Sequence, residues 1–252
     1  MLRTVRRAVG VVLALALAAG AAVMWSRQRP VPAAAATAIA SVVAPAPARP
    51  RRIVIIGDSV AGEVAAAASA ATVGRADVDY VLTIGTANVN DDWWDVWPRV
   101  LTRDRPDAIG VLVGPWEINR PDLGTPAWAA WYGARLDRWG DLLTRDGAHL
   151  YWITPAPARD PVIDARLRVV TSAFLALAAR RPTITIVDAA GALGAPDYLE
   201  RATTGERLRR IDGLHLCPAG AARVADAVLD AMAIPAAPGR PVDASATTEC
   251  PP

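Results

Sequence analysis

Lysine is absent from this sequence, and histidine and cysteine nearly so, with two residues of each among 252. All 27 basic residues are therefore arginine, a bias that points to a GC-rich genome rather than to a mechanism. The scarcity of histidine restricts any imidazole base to His149 or His215. The two cysteines, Cys217 and Cys250, exclude a cysteine-rich metal site, since neither stands at ligand spacing from a second cysteine or a histidine. In an oxidising compartment they are compatible with one disulfide. It would close a loop of 33 residues, a constraint of about 3–4 kcal/mol in the chain-entropy treatment. Acidic residues are missing before Asp58. Eight arginines precede Ile53, so the formal charge of +2 misdescribes the rest of the chain, where 19 basic side chains face 25 acidic ones, a net of −6. Such a domain is a poor partner for nucleic acid or for an anionic membrane surface.

The N-terminus carries Arg3, Arg6 and Arg7 and then an uninterrupted apolar run from Ala8 to Trp25. That run is near the upper limit for a signal peptide and nearly long enough to span a bilayer. With the basic flank on the cytoplasmic side, residues 1–29 read as an uncleaved signal anchor. Small residues at Ala18 to Ala22 and Ala33 to Ala36 also permit cleavage. Either way the body of the protein is expected outside the cytoplasm, as a single-pass membrane protein with an extracytoplasmic domain or as a secreted one. Residues 30–52 are Ala- and Pro-rich without hydrophobic period and read as a linker. Residues 53–234 are enough for one domain with a sizeable core. Residues 235–252 read as a loosely held tail, apart from Cys250.

Within the domain, Ile53-Val54-Ile55-Ile56 places four β-branched residues in a row, the mark of a strand covered on both faces. Gly57 stops it, and an Ala-rich segment from Val60 to Ala71 comes next with good helix propensity. Further apolar strands are expected at Val78 to Ile84, Ala108 to Val113, His149 to Thr154 and Thr183 to Val187. Between them, Thr125 to Leu143 spaces Trp128, Trp131, Tyr132, Leu136, Trp139, Leu142 and Leu143 as one helical face, with Thr125 as N-cap and Pro126 at the first helical position. Pro161 to Ala179 is expected to bury Val162, Leu167, Val170, Phe174 and Leu177. An irregular stretch to Arg210 precedes a last helix, Pro218 to Met232, burying Val224, Val228 and Met232. Five strands alternating with helices predict an α/β fold, a parallel sheet between helical layers. Ligands then bind at the carboxyl edge of the sheet. Gly57-Asp58-Ser59, Gly85, Gly114 and Thr154-Pro155 all fall on that edge.

A serine on a strand–turn–helix is a nucleophile only if a base takes its proton. His149 begins a strand at the opposite edge, which suits a structural role. His215 comes three residues after Asp212 in a turn, so the carboxylate can orient the ring while the other nitrogen faces Ser59. An isolated Asp-x-x-His would read as a turn residue and a surface histidine. Its place after the fifth strand, with Gly57-Asp58-Ser59 after the first, favours the chemical reading. Asp58 is expected to bond the turn's backbone. Glu117 is expected to orient a substrate hydroxyl or to balance Arg120. Trp93, Trp94 and Trp97 border the second edge loop, where indole faces suit packing or sugar rings.

Gly57-Asp58-Ser59 and Asp212-x-x-His215 resemble the first and last blocks of the SGNH/GDSL hydrolase superfamily. The likeness extends from Ile53 to about Ile234. Val113-Gly114-Pro115-Trp116-Glu117 and His215-Leu216-Cys217-Pro218 are similar to actinobacterial SGNH domains associated with membrane acyltransferases. The resemblance implies a three-layer flavodoxin-like fold with five parallel strands. It also implies Ser59 as nucleophile, His215 as base, Asp212 as orienter, and an oxyanion hole from the Ser59 and Gly85 amides and a third-block asparagine. Where the family has Gly-x-Asn, this chain has Gly114-Pro115-Trp116; Trp116, Asn88 and Asn119 are the donors within reach in sequence. Gly114, Trp116, Glu117 and Asn88 are candidate substrate contacts. The resemblance implies no metal or cofactor. It implies an exported esterase or O-acyltransferase acting on acyl esters, acetyl esters first among them, of envelope carbohydrate, with a membrane acyltransferase as partner. The alternative is a glycan- or acyl-binding module, or a scaffold beside such an acyltransferase.

Overall fold

β1 (Arg52–Gly57) shows why the chain folds as two helical layers around a sheet. Its four central residues are fully buried, and the period of two sends Ile53 and Ile55 into one apolar core and Val54 and Ile56 into another. Burying each such side chain stabilises the fold by about 1.5–3 kcal/mol. The computed structural model describes residues 52–82, 93–235 and 249–251. The N-terminal apolar segment, the linker, Gly85, Asn88 and most of the tail lie outside the described residues, as do the side chains of Trp93, Trp94 and Trp97. Among the described residues, no helix is long and apolar enough to cross a membrane.

The elements run in chain order: α1 (Ser59–Ala71), β2 (Asp77–Leu82), α2 (Trp93–Asp104), β3 (Ala108–Leu112), a 3-10 turn (Glu117–Asn119), α3 (Pro126–Thr144), β4 (His149–Ile153), α4 (Pro161–Arg180), β5 (Ile184–Val187), α5 (Ala189–Leu193) and α6 (Pro218–Ala231). The five strands form one parallel sheet in the order β2-β1-β3-β4-β5. This is the flavodoxin-like order, whose reversal of direction between β1 and β3 opens a crevice at the carboxyl edge. One core lies between the sheet and α1 with α6. The other holds the indole-rich face of α3, the apolar stripe of α4 and Val100 and Leu101 of α2.

Local chemistry sets the helix starts. The Thr125 hydroxyl accepts the Trp128 amide at 3.1 Å ahead of Pro126, as its sequence suggests. Asp160 accepts the amides of Val162 and Ile163 ahead of Pro161. Two expectations are corrected. Val162 is 67 % exposed rather than buried. At 100° per residue it lies well off the Leu167–Val170–Phe174–Leu177 stripe, and Ile163, four residues before Leu167, packs there instead. The stretch between Val187 and Arg210 is also not wholly irregular, because Asp188 caps the short α5 by accepting the Ala190 amide.

Gly57 ends β1 for a steric reason. A β-carbon there would sit 1.8 Å from the Leu112 carbonyl oxygen on the paired strand β3. Only glycine lets the two strands close at the point where the chain turns into Asp58-Ser59.

Candidate active site

The turn after β1 starts α1 with Ser59 exposed and Asp58 fully buried. The Asp58 carboxylate accepts the Val60 amide at 3.0 Å and caps the helix. Burial pushes its pKa up to about 6, against the opposing effects of the Val60 and Ala61 amides, the His215 charge and the Gly114 amide. Gly114 lies just after β3, so the two loops flanking the crevice meet at this carboxyl group.

The second half of the site comes from the segment before α6. Asp212 Oδ1 accepts the amides of Leu214 at 2.8 Å and His215 at 3.0 Å. Its Oδ2 lies 2.6 Å from His215 Nδ1. One oxygen of Asp212 thus caps the turn while the other meets the His215 ring. Gly213, between them, has φ of +73°, and a β-carbon there would fall 2.5 Å from the Arg159 β-carbon. Burial pulls the Asp212 pKa upward, but the Leu214 amide, the His215 ring and the His215 amide outweigh it, and the carboxyl stays below its usual value. An ionised Asp212 accepts from Nδ1–H, which leaves Nε2 as the acceptor. That nitrogen is 2.7 Å from Ser59 Oγ. The geometry supports proton removal from the Ser59 hydroxyl by His215.

The structure thus brings together Ser59, His215 and Asp212. His149 is elsewhere, at the start of β4, with Nε2 2.9 Å from the Thr185 hydroxyl and its pKa lowered by burial. Gly114 is buried, with Trp116 beyond it 41 % exposed. Glu117 is fully buried at the head of the 3-10 turn, and Asn119 is exposed at its end. Arg120 is bound by Asp122 at 2.9 Å and lies 4.1 Å over the Trp131 ring. Gly85 and Asn88 lie outside the described residues. Cys217 and Cys250 form a disulfide. Among the described residues, no group of three or more His, Cys, Asp or Glu side chains is disposed to hold a metal ion.

Sequence reasoning alone passes over Glu63. It stands one helical turn after Ser59, with Oε2 accepting the Leu216 amide at 2.8 Å and Oε1 2.6 Å from Arg210. Burial raises its pKa against those two partners and against His215. The available signal is its being the one charged residue in an otherwise Ala-rich helix.

The fold recurs in solved structures. A GDSL-like lipase from Bacteroides thetaiotaomicron superposes with a TM-score of 0.52 at 13% identity, covering 74% of this chain and 91% of that one. An α/β hydrolase enzyme from the metagenome of Lake Arreo, Spain, gives 0.52 at 20%, covering 73% and 95%. A catalytic mutant of an acetylxylan esterase from Geobacillus stearothermophilus gives 0.51 at 16%, covering 73% and 94%. None of the curated proteins matches the sequence. Residues 52–231 match the family described as "Protein of unknown function (DUF459)". Because that match spans well over half of the chain, the chain belongs to that family, and its five parallel strands in flavodoxin-like order are a fold shared with a GDSL-like lipase and an acetylxylan esterase.

Proposed function

We propose that this protein is an exported serine esterase or O-acyltransferase acting on acyl esters, acetyl esters first among them, of envelope carbohydrate. The observation that carries the reading is the Ser59–His215–Asp212 chain, with contacts of 2.7 Å and 2.6 Å. In this reading Ser59 Oγ attacks the ester carbonyl as His215 Nε2 takes its proton. The oxyanion forms against the Ser59 amide, at the first residue of α1, where helix N–H groups lack intrahelical partners, and, as the superfamily resemblance implies, against the Gly85 amide. His215 returns the proton to the departing sugar oxygen, leaving an acyl-serine. Water or a second carbohydrate hydroxyl, deprotonated by the same imidazole, then takes the acyl group. The carbohydrate ester is suggested by the acetylxylan esterase among the structural neighbours, and export by the basic and apolar N-terminus.

A second reading rests on Gly114-Pro115-Trp116, where the superfamily has Gly-x-Asn. Loss of one oxyanion donor costs about 100- to 1000-fold in rate, so the fold would then serve as a glycan- or acyl-binding module, or as a scaffold beside a membrane acyltransferase. Labelling by a fluorophosphonate together with hydrolysis of p-nitrophenyl acetate separates the two. The esterase reading expects both in the wild type, with labelling abolished in Ser59→Ala and hydrolysis falling about 1000-fold or more in Ser59→Ala and His215→Ala. Labelling that persists in Ser59→Ala would sink it. An inert wild type that binds acetylated glycan would favour the module.

A further inference from the structure

We infer that Glu63 is a positioning residue of this site, clamping the Asp212–His215 loop onto the helix that carries Ser59; the inference rests on the esterase reading above. Glu63 is four residues after Ser59, so both side chains project from one face of α1. Its two oxygens are divided between two points of the loop. Oε2 takes the amide of Leu216, the residue after His215, and Oε1 takes the guanidinium of Arg210, two residues before Asp212. Arg210 in turn closes the loop on itself. Its amide donates to the His215 carbonyl at 3.0 Å and its Nε to the Leu216 carbonyl at 3.3 Å. The far side of Arg210 meets Glu249, whose carbonyl accepts the Ile211 amide at 3.0 Å. The neighbouring Cys250 is bonded to Cys217.

Ser59 and His215 therefore have a connection besides their own hydrogen bond. It runs through Glu63, with the Glu249–Cys250 end of the tail bracing Arg210 from outside. The bonds to Glu63 are charge-assisted and its side chain is mostly buried, conditions in which such bonds are strongest. A hydrogen bond from serine to imidazole is productive over a few tenths of an ångström, so slack in the loop falls on proton transfer rather than on substrate binding. Glu63 touches neither substrate nor reacting atom in this scheme and acts through the placement of His215.

The test is steady-state hydrolysis of p-nitrophenyl acetate by the wild type, Glu63→Gln and Glu63→Ala, with thermal midpoints alongside. The glutamine keeps an acceptor for the Leu216 amide and loses the pairing with Arg210. The expected result is a kcat lowered about tenfold or more in Glu63→Ala and by less in Glu63→Gln, with KM within twofold throughout. A kcat within twofold of wild type in Glu63→Ala overturns the inference. So does a parallel change in KM with no recovery in the glutamine variant. If the alanine variant does not fold, Glu63→Gln decides: a threefold or larger loss of kcat at unchanged KM supports the clamp, and an unchanged kcat overturns it. A readout independent of turnover is the downfield proton NMR resonance of His215 Nδ1–H, assigned by its loss in Asp212→Asn. It should broaden or vanish in Glu63→Ala, and full retention there overturns the inference. A wild type inert to both ester and fluorophosphonate removes the esterase reading, while this resonance still judges the clamp.

Discussion

The hydroxyl of Tyr80 donates a 2.6 Å hydrogen bond to the backbone carbonyl of Asp58. The bond ties the edge strand β2 to the turn that presents Ser59. Burial, with the neighbouring Asp58 charge second, pushes the Tyr80 pKa up to about 12, so the phenol remains a donor through the neutral range. The ring also lies over Gly62, where a β-carbon would come within 2.9 Å of the hydroxyl oxygen. A larger residue in the first turn of α1 would break this contact.

Tyr80→Phe removes the donor and keeps the ring. The Asp58 carbonyl retains the Gly62 amide at 3.2 Å, so the loss should be that of one hydrogen bond, about 1 kcal/mol. Calorimetry should show the thermal midpoint falling by about 2–4 °C, with hydrolysis of p-nitrophenyl acetate reduced less than in Ser59→Ala. An unchanged midpoint would mean that β2 and the turn are not coupled through this bond.

Asp58 predicts a pH dependence of stability. Its folded pKa is about 6, against 3.8 for an ordinary aspartate. Between those values the folded state holds more protons than the unfolded state, so stability falls as pH rises from about 4 to about 6. The size of the fall is about 3 kcal/mol. Asp58→Asn keeps an oxygen for the Val60 amide and removes the titration. Denaturant titrations at pH 4, 5, 6 and 7 should show the variant gaining on the wild type through that window and levelling off above it. A difference between the two that is constant with pH refutes the assignment.

The disulfide closes a loop of 33 residues that contains α6. Cys250→Ser, or reduction, should lower unfolding free energy by about 3–4 kcal/mol. Because Glu249 braces Arg210, the same change should lower kcat under conditions where the protein stays folded. Activity that is indifferent to reduction, in a protein shown to be reduced and folded, would separate the tail from the site.

Much of the fold is legible in the chain itself, because the signals involved act over a few residues. A run of β-branched residues ending in Gly57, the Thr125-Pro126 start of α3 and its spaced indoles each state a local preference that tertiary packing leaves in place. Val162 shows where such reading fails. Its apolar character suggests burial, but only its angle on α4 relative to Leu167 and Phe174 decides which face it occupies. The short α5 escapes notice because a five-residue helix carries too little period to stand out; its one mark is Asp188 as cap.

By itself the sequence determined which residues could do chemistry: a serine on a strand–turn–helix, and an aspartate and a histidine three apart. Only the tertiary structure decided that they meet, since Ser59 and His215 are 156 residues apart and Glu63 and Leu216 are 153 apart. Contacts of that span are set by the order β2-β1-β3-β4-β5 and by α1 and α6 sharing one face of the sheet. The raised pKa of Asp58 is likewise a tertiary property. Desolvation comes from what packs around a carboxyl group, and nothing within a few residues of Asp58 specifies it.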